Sequence, residues 1–536
     1  VILVYKISKN WFTTSVGLIA SSFVAVMQYM IIYSQLARPY STGVFFCLLM
    51  VYCWSKFLFE SPHQKKWLVG YILSAVCCAY DHHFALLFAF IVGLSGIPFL
   101  TKNNWKSYIL SGILICIAYL PNIPILLFQM SKGGLGGEGG WLAAPDSGWL
   151  YGYLKYIFHF SFWMYALAFI LIVLSVFWYN KEISKTNKFR VLCITWFFSF
   201  FFIQYFYSIH VSAIIQFSTL IFAFPFLLIF LFSLFSELSV KKNALLVICI
   251  LVIGTVSLAN ERKHFRLFYH QPYQQQIVTT QESLNRIKNP KDVTIELIVP
   301  PYLKGILTKH YLEKQKVRFD ETHYGPISQH PTPKIFRAFV FSRSTHYFIA
   351  GNLPDEYVQI IKEKYPYLIS KEEGFTYATY CFAREKPARE YPEEVLFSQE
   401  LELKKNTMDS TEEFGQGFSF KFKDQVFSRH TLVTVSASLL TADTLSNPIL
   451  VASIEENGQS IAWGGAEYFK FNTNKQLPNK LILCYPLTGF DFKKHPDAEI
   501  KIYVWNKDKR PLHVDHMNIT MTRANAFIYG LYEPLD

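Results

Sequence analysis

The sequence predicts a polytopic α-helical membrane domain followed by a small α/β domain and a C-terminal antiparallel β-sandwich of jelly-roll type. Three observations carry that prediction. Hydrophobic residues make up 51% of the 536-residue chain and aromatic residues 18%, against 17% charged. Up to residue 260 the chain repeats apolar stretches, each on the scale of the roughly 20 helical residues that cross about 30 Å of hydrocarbon. Beyond residue 260 the long apolar runs give way to strand–helix alternation and then to period-two patterning, the signatures of a soluble α/β fold and a sandwich.

Nine segments qualify as spans, at 12–33, 41–59, 67–80, 84–100, 107–128, 156–179, 191–209, 213–236 and 244–260. Basic residues sort between their connections by the positive-inside rule. Lys6 and Lys9, Lys65 and Lys66, Lys102 and Lys106, Lys181 through Arg190, and Lys241 and Lys242 share one face, leaving Arg38, Lys132 and Lys155 on the other. Nine crossings from a cytoplasmic start place everything after residue 260 on the extracytoplasmic side. The formal charge is +12, and 16 basic against 6 acidic residues before residue 261 account for +10 of it. The basic excess therefore reflects topology, and a nucleic-acid partner is excluded. Seven of the nine cysteines lie in the spans and only Cys381 and Cys484 outside them, which is no disulfide framework.

Arg38 is the misfit. It lies in Ser34-Gln35-Leu36-Ala37-Arg38-Pro39-Tyr40, between two spans, on the face with few cations. A membrane-edge arginine needs a partner, and a lipid phosphate is the obvious one. The third span, Trp67 to Tyr80, has about 14 residues, or about 21 Å of helix. The polar run Asp81-His82-His83 is thus expected in a recess below the outer headgroups, with backbone tolerated there only against protein or a wet cavity. A turn cap in a bilayer dimple is the bland reading of those residues, and a divalent metal site is a further one. A second outward loop carries Gly133-Gly134-Leu135-Gly136-Gly137-Glu138-Gly139-Gly140-Trp141 with no Gly-Lys-Ser/Thr after it, so it is no phosphate-binding loop. It reads as a flexible connector, or as a lid bringing Glu138 or Trp141 to a sugar.

The order Gln35-Leu-Ala-Arg38-Pro-Tyr40, then a short helix pair broken by Tyr80-Asp81-His82-His83-Phe84, then Pro121 and Pro124 before an outward loop, resembles the bacterial GT-C class glycosyltransferases. These are the family-39-like enzymes related to protein O-mannosyltransferases and aminoarabinose lipid A transferase. The resemblance covers the membrane half and continues into the first soluble stretch. It implies inverting transfer of a sugar from a polyprenyl-phosphate donor to a lipid, glycan or protein acceptor, on the outer face of the bacterial cytoplasmic membrane. Arg38 and Tyr40 are then expected to hold the lipid phosphate, with Asp81, His82, His83, Glu138 and Trp141 lining the substrate site. The family's base is an Asp or Glu of the first outward loop. That acidic motif is not found before Arg38, and the chain opens on Val1-Ile2-Leu3-Val4-Tyr5 as if entered at the end of an apolar helix. An upstream helix pair bearing the base is therefore expected, and no catalytic residue is assigned. Relatives also carry an arginine near the penultimate span, where this chain has Ile215-Gln-Phe-Ser218.

The soluble half divides at 261–388 and 395–536, with a Pro- and charge-rich linker at Lys386 to Glu394. In the first part, strands are expected at Val293–Val299, Ala338–Ser342 and Tyr377–Ala383, and helices at Tyr302–Lys314 and Asp355–Tyr365, with no Gly-x-Gly-x-x-Gly for a nucleotide. In the second part, strands are expected around Val433–Leu439, Leu481–Cys484, Glu499–Trp505 and His513–Thr522. A hairpin at Tyr503 to Ile519 resembles the terminal strands of jelly-roll carbohydrate-binding modules. The plain alternative is a spacer domain with Trp463 and Trp505 in its core. Two other functions fit the same chain: a transporter or flippase for lipid-linked sugars, and a non-catalytic, membrane-anchored glycan-binding or assembly protein. The first requires interrupted helices in symmetric halves. The second leaves Arg38 and the Asp-His-His run dispensable.

Overall fold

The structure is a computed structural model that describes residues 1–60, 65–131, 142–178, 186–269, 272–299, 305–315, 319, 324–325, 329–403, 405–424, 427–441, 443, 445–472 and 479–531. The chain forms two compact units, Val1–Phe268 and Tyr269–Asp536.

The first unit is helical. It opens with α1 (Ile2–Trp11), α2 (Thr14–Val26), α3 (Gln28–Gln35), α4 (Tyr40–Ser55), α5 (Lys65–Asp81) and α6 (His83–Ser95). It continues with α7 (Trp105–Tyr119), α8 (Ile123–Ser131), α9 (Trp149–Ile157), α10 (Phe162–Phe177), α11 (Asn187–His210), α12 (Phe224–Phe232), α13 (Val240–Asn260) and α14 (His264–Phe268). Hydroxyl caps start several of these helices. Thr13 accepts from Val16 N at 3.2 Å and Ser161 from Met164 N at 3.3 Å, each satisfying an N–H that has no intrahelical partner.

Among the described residues, four helical stretches are long and apolar enough to cross a membrane: Tyr40–Glu60, Trp105–Gln129, Asn187–His210 and Val240–Asn260. The number rises to six if α2 with α3, bent by 59°, and α9 with α10, bent by 92°, each make one span. The expected segments at 67–80 and 84–100 are the shorter helices α5 and α6. The segment expected at 213–236 is extended before a 3-10 turn at Phe217–Phe222 and the nine-residue α12, whose Pro225 lacks the N–H that a continuing helix would use. The surface is apolar as well as the interior, for Ile109, Ile113, Ile117, Leu245, Val252 and Val256 are all exposed, a pattern that fits lipid contact. Inside, three buried indoles each find a hydroxyl: Trp11 with Ser55 at 2.6 Å, Trp54 with Tyr108 at 2.9 Å and Trp196 with Ser95 at 2.9 Å.

The second unit starts with α15 (Pro272–Arg286), β1 (Val293–Ile298), α16 (Ile306–Gln315), β2 (Tyr324–Gly325) and α17 (Pro333–Ser342). After these come β3 (Tyr347–Gly351), α18 (Asp355–Lys364), β4 (Tyr367–Gly374) and β5 (Tyr377–Ala383). The sheet order is β2-β1-β3-β5-β4, with β1 parallel to β2 and β3, and β5 antiparallel to β3 and β4. Strand alternation splits its faces: Phe348 and Ala350 join a core with Phe336 and Ile361, while Ile349 joins one with Ile277 and Leu297. The expected strand at Ala338–Ser342 is helix α17 instead. Pro333 sits at its first turn, and Phe336 and Val340, one helical turn apart, are its buried residues.

The sandwich comprises β6 (Val395–Glu400), β7 (Thr407–Met408), β8 (Phe418–Lys421), β9 (Thr431–Leu440), β10 (Ile449–Glu456), β11 (Gln459–Glu467), β12 (Asn479–Pro486), β13 (Glu499–Trp505) and β14 (Leu512–Arg523). One sheet runs β11-β10-β13-β8 and the other β12-β9-β14-β6, all antiparallel. The expected hairpin at Tyr503 to Ile519 is not one, because β13 and β14 belong to opposite sheets. Trp463 is 60% exposed, so it is no core residue. A single hydrophobic core runs from Phe336 and Ile361 into Val433 and Ile500, which joins the α/β part and the sandwich.

Two outcomes follow from this packing. A Cβ at Gly254 of α13 would lie 2.7 Å from Val26 Cβ of α2, so Gly254→Val should destabilise the helical unit by about 1–3 kcal/mol, read as a lower melting temperature in lipid nanodiscs. Burial raises the Asp355 carboxyl above the ordinary carboxylate value of about 3.9. Between those two values the folded chain holds the proton more tightly than the unfolded one, so stability falls as pH rises through that window. Asp355→Asn keeps an acceptor for Tyr529 and removes the fall. Its melting temperature should exceed that of the parent at pH 8, with the gain shrinking toward pH 5; a lower value at pH 8 contradicts the sign.

Candidate functional site

Arg38 lies in the turn between α3 and α4, where its N–H donates to Leu36 O and its carbonyl accepts from Tyr40 N, both at 2.8 Å. The side chain is exposed, and among the described residues its guanidinium has no hydrogen bond or ion pair. Two residues on, Tyr40 starts α4 and is buried. Its ring packs against Tyr33 at 4.8 Å and His82 at 5.5 Å between centroids.

Asp81 ends α5, and His82 is the single residue before α6. His82 Nδ1 accepts from Phe84 N at 3.1 Å and so caps α6. A neutral ring must then carry its proton on Nε2. Its ring also meets Phe222 at 5.1 Å. Gly43, one turn into α4, lets the carboxylate come close: a Cβ there would stand 2.7 Å from Asp81 Oδ2 and 2.5 Å from Phe222 Cε1. That oxygen is buried and has no hydrogen-bond partner among the described residues. Tyr40, Asp81, His82 and Phe222 therefore form one cluster, with an unpartnered carboxylate oxygen inside and Arg38 two residues from Tyr40.

His83 does not join this cluster. It is exposed, and its Nε2 pairs with Gln129 Oε1 of α8. With His82 Nδ1 committed to the backbone and His83 turned to Gln129, the metal reading of Asp81, His82 and His83 loses its converging donors. Among the described residues no group of three or more His, Cys, Asp or Glu is placed to hold an ion. Glu138 and Trp141 lie outside the described residues.

A second polar cluster escaped the sequence reading. Where α2 breaks into α3, Gln28 N donates to His159 Nε2 at 2.9 Å, and His159 Nδ1 lies 3.0 Å from Ser257 Oγ. Arg262 Nε donates to Gln28 Oε1, and its guanidinium faces Tyr156 at 5.2 Å and Phe160 at 5.0 Å. His159 and Phe160 adopt positive φ of 64° and 54°, which marks the sharp turn between α9 and α10. The signal available was a lone Gln and a lone His within apolar spans, which have to meet polar partners. A scan against protein-family models and searches of curated proteins and solved structures match nothing to this chain.

Proposed function

We propose that the chain is an integral-membrane glycosyltransferase that moves a sugar from a polyprenyl-phosphate donor to an acceptor on the outer face of the cytoplasmic membrane. The observation that carries this reading is the exposed side chain of Arg38, without a protein partner among the described residues, two residues before Tyr40 of the Tyr40–His82–Asp81 cluster.

In such a transfer the acceptor oxygen bonds to the anomeric carbon as the bond from that carbon to the donor phosphate breaks. The phosphate leaves with the electron pair, and a base takes the acceptor proton. Arg38 neutralises the charge that develops on the phosphate with a planar, permanently charged fork. Tyr40 supports the phosphate or the sugar. The Asp81 carboxylate offers an acceptor to a sugar hydroxyl, and His82 offers Nε2–H to the same substrate. None of these is assigned as the base. The 261–536 portion is extracytoplasmic in this reading.

One observation favours the transporter reading instead, namely the two helix pairs broken at 59° and 92°, since interrupted helices line many transport pathways. Proteoliposomes separate the two functions, because a flippase moves intact donor between leaflets and consumes none.

Arg38→Ala in the complete protein should abolish transfer from a polyprenyl-phosphate hexose while leaving the melting profile unchanged. Arg38→Lys, which keeps the charge and loses the fork, should retain part of it. Full activity of the alanine variant would falsify the assignment.

A further inference from the structure

In the Tyr269–Asp536 unit, α18 and the sheet β12-β9-β14-β6 enclose a cleft of about 590 Å³. We propose that this cleft binds a neutral saccharide, an assignment that stands independently of glycosyl transfer.

The floor is set by strand register. Thr434 pairs with Thr520 and Ser436 with Asn518 across β9 and β14, and residues two apart on a strand share a face. All four line the cleft. They set hydroxyl and amide groups into the floor beside the apolar Leu432 and Ile482. Asn518 Oδ1 is buried and has no hydrogen-bond partner among the described residues, so an acceptor waits there for a donor. An unmade hydrogen bond at a buried oxygen destabilises the free protein, and a ligand hydroxyl would recover that loss.

The walls decide the charge of the ligand. Lys362 is held by Glu393 at 2.6 Å, Lys371 by Glu373 at 2.7 Å, and Arg523 by Glu394 at 2.7 Å. Lys480 lies 3.7 Å from Glu363, which also takes Arg337 at 2.9 Å and 3.1 Å. Every cation lining the cleft is paired with a carboxylate, so a phosphate or carboxylate ligand would have to compete for it. The acid left over is Asp355, which makes no ion pair among the described residues and accepts only from Tyr529 OH, at 2.9 Å. Tyr380, Tyr391 and Tyr529 also line the cleft, together with Val358 and Ile528. Acceptors for hydroxyls together with aromatic faces for C–H surfaces suit a sugar.

The test uses the full chain in nanodiscs free of sugar-headed detergent, with ligand-observed saturation-transfer NMR on maltotriose, cellotriose, mannotriose and tri-N-acetylchitotriose. At least one should bind saturably. Asn518→Ala and Ser436→Leu, the second placing bulk on the floor, should each weaken it about tenfold, the scale of one or two lost hydrogen bonds, without a change in melting profile. Silence from all four trisaccharides overturns the proposal, as does binding that both folded variants leave unchanged. Saturable binding of glucose 6-phosphate or spermidine with the trisaccharides inert overturns it too. Binding needs no transfer step, so an inactive enzyme with intact trisaccharide binding refutes the transferase reading and leaves this one standing.

Discussion

A helix that breaks inside an apolar bundle frees N–H and C=O groups that have no water to turn to, and the helical unit is organised around the side chains that satisfy them. At the α2–α3 break, His159 takes Gln28 N. At the α5–α6 break, His82 takes Phe84 N. Where α11 ends, Ser208 Oγ accepts from both Ile214 N at 3.0 Å and Ile215 N at 2.9 Å, and Tyr29 OH donates to Phe217 O at 2.5 Å nearby in sequence. Each break thus recruits a polar residue to a place where the surrounding composition is apolar. Polar chemistry accumulates at the breaks because the backbone requires it there, and a substrate site can form where one such residue keeps a hydrogen-bonding atom unused. Among the described residues, His82 meets that condition through Nε2, and Asp81 beside it through Oδ2.

The second unit handles polarity in the opposite way. Its charges are neutralised in pairs at the seam where the α/β part meets the sandwich, Arg337 reaching Glu363 and also Lys480 O at 3.0 Å. Cys484 N donates to Glu356 at 3.4 Å across the same seam. Since one hydrophobic core continues beneath these contacts, the linker composition at Lys386 to Glu394 marks a connection and not a hinge between independent bodies. The cleft at this seam follows from the mismatch of a helix and a twisted sheet packed edge to face, and its polar floor follows from the period-two alternation of β9 and β14.

Legibility in the sequence followed the range of the interaction. Apolar length and strand periodicity are local, so the helical half and the strands Val293–Ile298, Tyr377–Ala383 and Glu499–Trp505 could be read directly. Ala338-Phe-Val-Phe was misread because β-forming residues filled a helix whose evidence lay upstream, in Thr332 and Pro333. The sharp bend between α9 and α10 left no glycine or proline to announce it, being made by His159 and Phe160 at positive φ. Long-range pairings were invisible: Gln28 meets His159 from 131 residues away and Arg262 from 234. In the site, Tyr40, Asp81 and His82 were legible as a motif. Their convergence needed Gly43 and Phe222, which carry no chemical signal of their own.

The arginines of the helical unit show what a structural cation looks like in this chain. Arg190 donates to Asn187 at 2.6 Å, to Ser233 Oγ at 3.2 Å and to Ser233 O at 3.0 Å. Arg262 is buried between Gln28 and two aromatic rings. Both follow the expectation that a cation near hydrocarbon is paired with polar groups or aromatic faces. Arg38 departs from the pattern. It occupies a turn fixed through its backbone alone, with its side chain exposed, so folding does not account for the guanidinium. A charge that contributes nothing to packing and stands at the end of a membrane-length helix is the feature on which the proposed phosphate contact rests.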